Sequence, residues 1–434
     1  MATPLTDGIN ALTTYVNEVT GASDTTLSDA VHTLASGYGG GGGTVSVPRK
    51  DVNFIDYDGT ILHSYTSAEA LALTELPENP SHSGLTAQGW NWSLSDMKLQ
   101  VQSMGKCDIG QMYITDDGKT RIYVHFEEGR SSPYLGIGVN GTVEVDWGDG
   151  SNTETLTGTS LSTAAVAQHI YAPGDYVIKL TVVSGSFTFF GTSNTSHILK
   201  KSTSTLANIS RVYTNAVQKI ELGNGITKIR GYAFYNCHSL LSITIPMEVT
   251  SIGNNAFYTC YSLSSITVPI GVTSIDGYAF SSCYSLSSIT IPVGVTSIRA
   301  NTFNNCSSLS NIIIPMGVTS IGSNAFNSCS SLSSIIIPDG VTSIDGYAFG
   351  YCSSLSSIII PTGVTSIGSN VFNYCYGMAE YHLLPIVPPT LSSINAFSNI
   401  QSDCIIYVPQ GCLEAYQTAA NWSTYASYMQ EEAA

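Results

Sequence analysis

The chain has 434 residues, 43% of them apolar and only 11% charged, with a formal net charge of −16 and a pI near 4.7. That length holds several domains, and the scarcity of Lys and Arg leaves no basic stripe to offset phosphate repulsion, which excludes a nucleic-acid partner and a polybasic membrane anchor. No stretch approaches 18 consecutive apolar residues, so no membrane insertion is expected.

Residues 1–7 lack the basic-then-apolar pattern of a secretory signal. The chain is therefore expected either to have lost a signal or to reach the exterior by another route, such as a phage virion released by lysis. Residues 8–37 read as two short amphipathic helices: Asp7 caps one striped by Ile9, Leu12, Val16 and Val19, and Asp24 and Thr25 precede one striped by Leu27, Val31 and Leu34. Neither is long enough to stand alone. Within 1–38 this predicts either an attachment tip that makes a homo-oligomer, a trimer as in phage fibres, or a hairpin folded back on the body. The glycine run 39–43 is a flexible linker and a domain boundary.

Residues 44–118 read as a small α+β domain, with strand, turn and strand over 52–62 and helices over 67–76 and 94–104. The run Asp56-Tyr57-Asp58-Gly59-Thr60 is similar to the nucleophile motif of haloacid-dehalogenase-type phosphatases, in which the first Asp attacks phosphorus and the second is the acid. The βαβ units that such chemistry needs do not fit in this segment, and Asp-Gly is also a common hairpin turn. With Gly89-Trp90-Asn91-Trp92 and residues 110–115, the segment resembles modules of tail-associated and surface proteins of Firmicutes and their phages.

Over 119–199 alternating strands at 122–126, 142–147 and 176–182 are separated by Gly, Asn and Ser turns, the pattern of a β-sandwich. Residues 143–151, with Trp147-Gly148-Asp149-Gly150, and residues 169–177, with His169, Tyr171 and Pro173, are similar to PKD-type immunoglobulin-like domains. That resemblance implies a spacer. Asp146 and Asp149 read either as a calcium loop or as caps of their own turn.

Within a solenoid domain expected over 200–403, one 23-residue phrase repeats from about 217 to 377, with Phe234, Phe257, Phe280, Phe303, Phe326, Phe349 and Phe372 each followed three residues later by Cys237, Cys260, Cys283, Cys306, Cys329, Cys352 and Cys375. A fixed period of this length means a solenoid, whose rungs bury their apolar positions only by stacking. Ile-x-Ile-Pro predicts a short parallel strand ended by proline, Val-Thr-Ser-Ile a second one, and Asn-Ala-Phe-x-x-Cys a helical or 3₁₀ turn. The open ends need caps. The cysteines read as buried apolar residues, with disulfides between neighbours or a metal as alternatives; metal spacing of the CxxC kind is absent, so no metal and no cofactor is expected. Cys404 and Cys412 are an open candidate pair, and Cys107 stands alone.

The phrase Gly-Val-Thr-Ser-Ile-Gly-x-x-Ala-Phe-x-x-Cys-x-Ser-Leu-x-x-Ile-x-Ile-Pro resembles the BspA-like bacterial leucine-rich repeats, and residues 404–434 resemble that family's helical C-terminal cap. The resemblance implies a surface or secreted adhesion protein. The fold class expected is thus multidomain and mostly β: a BspA-like leucine-rich-repeat solenoid preceded by a PKD/immunoglobulin-like β-sandwich, a small α+β region and an N-terminal helical tip.

No catalytic set emerges, since the eight histidines are scattered and the repeats hold almost no titratable groups. Two surfaces stand out instead. Tyr232, Tyr235, Tyr258, Tyr261, Tyr278, Tyr284, Tyr347, Tyr351, Tyr374 and Tyr376, set among Ser, Gly and Asn, read either as a paratope-like binding surface or as covers of the turns between rungs. The middle position of the strand runs Thr244, Thr267, Thr290 and then Ile313, Ile336, Ile359, which reads as an exposed apolar stripe for interaction or as one buried against another layer. The sum is a non-enzymatic adhesin or receptor-binding protein, phage tail-associated or on a bacterial surface, whose partner is a cell-surface protein or glycan. The alternatives are a phosphatase using Asp56 and Asp58 and a purely structural spacer.

Overall fold

The computed structural model describes residues 47–128, 132–189, 191–192, 195–196, 198–199 and 215–433. The tip read in residues 8–37 and the glycine run lie outside the described residues. Everything below concerns the unit Pro48–Ala434.

β1 (Val52–Ile55) and β2 (Ile61–Tyr65) form the expected hairpin, its turn closed by Gly59 N–H donating to Asp56 O at 3.0 Å. α1 (Ser67–Ala72) starts at a capping box of Thr66 and Glu69 and ends short of residue 76, because Leu73 turns to extended backbone. β3 (Leu85–Trp90), α2 (Leu94–Met104) and β4 (Cys107–Thr115) follow, with Ser93 capping α2 and Gly105 ending it in the left-handed region. The sheet order is β2-β1-β4-β3 with β1 and β4 parallel. Val52, Phe54 and Ile109 face a core with Trp90, Met97 and Val101.

β5 (Thr120–Phe126), β6 (Tyr134–Asp146), β7 (Glu154–Gln168) and β8 (Gly174–Phe189) are antiparallel neighbours. After the paired two-residue strands β9 (Gly191–Thr192) and β10 (Thr195–Ser196) come the first solenoid strands, β11 (Val217–Glu221) and β12 (Ser242–Thr244). All six long and solenoid strands belong to one sheet, ordered β12-β11-β5-β8-β6-β7. The segment expected to be a spacer is therefore hydrogen-bonded to the solenoid, with β5 antiparallel to β11 and Ile122 opposite Ile220. It occupies the open edge that the first rung would otherwise present. At its far turn Asp146 and Asp149 accept from Gly148 and Ser151 N–H at 2.9 and 3.0 Å, the turn-capping arrangement, while Tyr171 donates to Trp147 O at 2.9 Å.

A solenoid rung has three sides, of which the strand side is laddered in separate stretches, with Ile312–Ile314 and Ile335–Ile337 forming no strand between them. Ile-x-Ile strands pair in parallel, as Ser265–Thr267 does with Ser288–Thr290, and Val-Thr-Ser-Ile gives two-residue strands such as Ser251–Ile252 paired with Ser274–Ile275. The third side differs from the helical expectation. Ala256, Tyr258 and Cys260 N–H each reach back three residues, but Asn255 and Thr259 have φ of 55° and 57°, so β-turns follow one another and no helix propagates. These turns also bond rung to rung: Phe257 N–H donates to Ala279 O at 2.8 Å and Thr259 N–H to Ser281 O at 2.9 Å.

Inside, the phenylalanines form one aromatic spine. Phe189 meets Phe234 at 5.0 Å, successive rings through Phe372 lie 5.1 to 5.7 Å apart, and Phe397 and Trp422 close the far end at 5.3 and 5.5 Å. Phe397 belongs to a rung that periodicity alone did not number, because it stands 25 residues after Phe372 and has Ile400 where the others have cysteine. The thiols are structural: Cys260, Cys283, Cys306, Cys329, Cys352 and Cys375 each donate to the phenylalanine carbonyl of the preceding rung at 3.1 to 3.2 Å. Cys404 and Cys412 are free thiols. α3 (Leu413–Thr418), a 3₁₀ helix (Trp422–Tyr428) and a last parallel strand (Met429–Glu431) cap the end.

Candidate functional site

Two faces of the solenoid were singled out by sequence, and the structure treats them differently. The strand face is largely occupied by the chain's own α+β domain. Asn91 Nδ2 donates to Val268 O (3.1 Å) and Thr290 Oγ1 (2.9 Å), Met247 N–H donates to Gln88 Oε1 (2.9 Å), Ser265 Oγ to Tyr57 O (3.1 Å) and Asn311 Nδ2 to Asp108 Oδ2 (3.3 Å). β4 lies so close that a Cβ on Gly110 would sit 2.5 Å from Thr267 Cγ2. Thr244, Thr267 and Thr290 are accordingly buried and small enough to admit β4, and Thr290 also accepts from Asn91. The isoleucine column divides between its two readings: Ile313 is 7% exposed at the margin of the docked domain, Ile336 is half-buried, and Ile359, at 54%, faces solvent.

The turn side carries the tyrosines, and they fall into columns fixed by the repeat. Tyr232, Tyr278 and Tyr347 stand two residues before the phenylalanine, Tyr235 and Tyr258 one after it, Tyr351 and Tyr374 two after, and Tyr261, Tyr284 and Tyr376 four after. Within a column the rings stack: Tyr235 on Tyr258 at 5.0 Å, His238 on Tyr261 at 4.3 Å, Tyr261 on Tyr284 at 4.9 Å and Tyr351 on Tyr374 at 4.8 Å. That spacing is one strand separation, so the fold itself sets the ladder.

Five of these tyrosines occupy the left-handed region: Tyr232, Tyr278, Tyr347, Tyr351 and Tyr374, with φ of 57° to 60°. Other rungs put Asn, Ser or Thr at these positions, as in Asn255, Asn301, Asn305 and Ser328. Asn tolerates this conformation; a bulky side chain there costs on the order of 1 kcal/mol or more.

In the middle of the array the columns empty. Tyr284 is followed in its column by Ser307, Ser330 and Ser353 before Tyr376, and Tyr351 is preceded in its column by Asn305 and Ser328. The result is a trough of about 370 Å³ with serine and asparagine as floor and tyrosines at both ends. Tyr284 (44% exposed) and Tyr351 (45%) are the walls.

The phosphatase-like run lies elsewhere. Asp56 is buried, and its carboxylate accepts from Tyr113 OH at 2.8 Å and from Tyr57 N–H at 2.8 Å and pairs with His82 Nε2 at 2.7 Å; Asp58 accepts from Thr60 N–H at 2.9 Å. That hydrogen bond to Asp56 raises the His82 pKa above its ordinary 6.5. Asp56 thus ties the hairpin turn to its neighbours and Asp58 closes the turn itself.

Stacked parallel rungs around a phenylalanine spine, with a cap at each end, define a leucine-rich-repeat solenoid, the class of fold whose extended surfaces serve recognition. The model of the BspA type leucine rich repeat region matches in six copies over residues 183–309 and 273–406, more than half of the chain. The chain belongs to the BspA-type leucine-rich-repeat family. No curated protein matches it. Among solved structures, a leucine-rich repeat protein from Bacteroides ovatus is 25% identical over 45% of this chain and 62% of its own, with a TM-score of 0.35. The T. pallidum leucine rich repeat protein is 33% identical over 36% and 72%, with 0.33, and a leucine rich cell surface protein from Faecalibacterium prausnitzii is 26% identical over 39% and 61%, with 0.26. The chain thus spans less than two thirds of the first and third of these. Among the described residues no helix is long and apolar enough to cross a membrane.

Proposed function

We propose that the chain is a non-enzymatic adhesin or receptor-binding protein, exposed on a bacterial surface or on a phage tail, that meets a cell-surface protein or glycan with the turn side of its solenoid. The observation that carries this reading is the division of labour between faces. The strand face is covered by the chain's own α+β domain over the earlier rungs, whereas the turn side presents exposed tyrosines, several of them at backbone positions that resist them. Tyrosine combines a large rigid contact area with a hydroxyl that bonds polar partners, at low entropic cost. The array around it is sparsely charged and acidic: from residue 231 onward Arg299 is the only Lys or Arg, against nine Asp and Glu.

The test is retention of the fluorescent full-length chain on bacterial cells and on mucin-coated surfaces. Retention that falls when tyrosines of the turn side are replaced supports the reading. A chain that stays on no cell and no mucin surface is a structural spacer, and the reading is wrong.

A further inference from the structure

We infer that the trough between Tyr284 and Tyr351 is a binding site for an uncharged oligosaccharide; this rests on the recognition reading above and gives it a ligand class and a place. The walls come first. Tyr261 covers one face of the Tyr284 ring and Tyr374 covers one face of the Tyr351 ring, so each ring turns its remaining face along the solenoid axis into the gap. Two rungs separate them, those of Phe303 and Phe326, whose residues at these columns are Asn305, Ser307, Ser328 and Ser330. Three strand spacings place the two open faces ~14 Å apart along the axis, in neighbouring columns. A pyranose has an apolar face of C–H bonds and a rim of hydroxyls, and it matches an aromatic end wall and a polar floor at once.

The floor has the right polarity. Ser307, Ser330 and Ser353 each direct the hydroxyl hydrogen to the carbonyl of the preceding rung, Tyr284 O, Ser307 O and Ser330 O, at 3.4 to 3.5 Å. Their oxygen lone pairs are left to accept, at one-rung intervals, from a row of donors such as sugar hydroxyls. Charge selects within the class. Every lining residue is Tyr, Ser or Asn, and with Arg299 as the only cation after residue 230 the trough offers nothing to a sialylated, uronic or sulfated glycan. The acidic chain as a whole repels such ligands.

The backbone supplies variants that remove the walls and keep the rung. Y351N and Y374N restore the residue type that other rungs use at a left-handed position, and Y284S restores that of Ser307. The experiment is affinity retention of the full-length chain on beads bearing mannotriose, maltotriose, chitotriose or N-acetyllactosamine, with sialyllactose and sulfated lactose beads beside them, and parallel binding to cells and mucin. Retention on at least one neutral sugar, at least tenfold above the charged beads, that falls by about tenfold or more in Y284S/Y351N with an unchanged or higher melting temperature is the expected result. Retention that survives Y284S/Y351N, or that prefers the charged beads, overturns the assignment. Cell or mucin binding without retention on any neutral sugar also overturns it while leaving the recognition reading intact. Absence of both binding modes overturns the two together.

Discussion

At the scale of single residues the interior and the surface obey different demands. Phe303 is fully buried, stacked at 5.7 and 5.5 Å between its neighbours, so Phe303→Ala should cost about 3–5 kcal/mol, read as a shift in denaturant midpoint. Burial pushes the Cys306 and Cys375 thiols up to about 12, and only Cys412 of the ten cysteines is not buried. An aromatic disulfide reagent at neutral pH should therefore modify one thiol in the native chain and ten after denaturation. The outside reverses the sign: Tyr351→Asn should leave stability unchanged or raise it by up to about 1 kcal/mol, since it relieves a left-handed tyrosine. The period made the Phe and Cys ladders legible, because a residue recurring every 23 positions has one place in a rung. It did not make the trough legible, since the informative residues there are the small ones, Ser307, Ser328 and Ser330, and small residues carry no pattern.

At the scale of elements the decisive event is β4 lying on the strand face. Gly110→Ala should force β4 away from Thr267, and faster amide exchange in Thr267 and Thr290 in that variant is the measurement. A second contact is pH-dependent. Because Asp56 raises the His82 pKa, the stabilisation from this pair is fully present below pH 6.5 and is lost as pH rises through the folded value. An NMR titration of His82 should give a midpoint above 6.5 that Asp56→Asn lowers, and the melting difference between wild type and Asp56→Asn should shrink toward alkaline pH. The hairpin and α2 were readable because their turn and caps are local. The docking was not read, although a signal existed. The residue after each strand-ending proline is Met247, Ile270, Val293 and Met316 where the α+β domain extends, then Asp339 and Thr362 beyond it. Tertiary contact with one end of the array breaks an otherwise uniform repeat, and the break marks the contact.

For the whole molecule, the sheet of β5 to β8 is best understood as the solenoid's first cap. Pairing of β5 with β11 joins residues about a hundred apart in sequence, which no local pattern encodes, and the turn motifs around Trp147 and Tyr171 pointed only to a β domain. A fragment starting at residue 215 should expose the β11 edge along with the apolar ends of the spine, and light scattering should find it associated, whereas the unit from residue 48 stays monodisperse. The repeats bear on inheritance as well. Tyr284 and Tyr351 sit on rungs of one 23-residue phrase, so gain or loss of a whole copy between them changes their separation by one step of ~4.8 Å. The reach of the site would then evolve in whole-number increments, a ruler whose divisions are set by recombination instead of by point mutation.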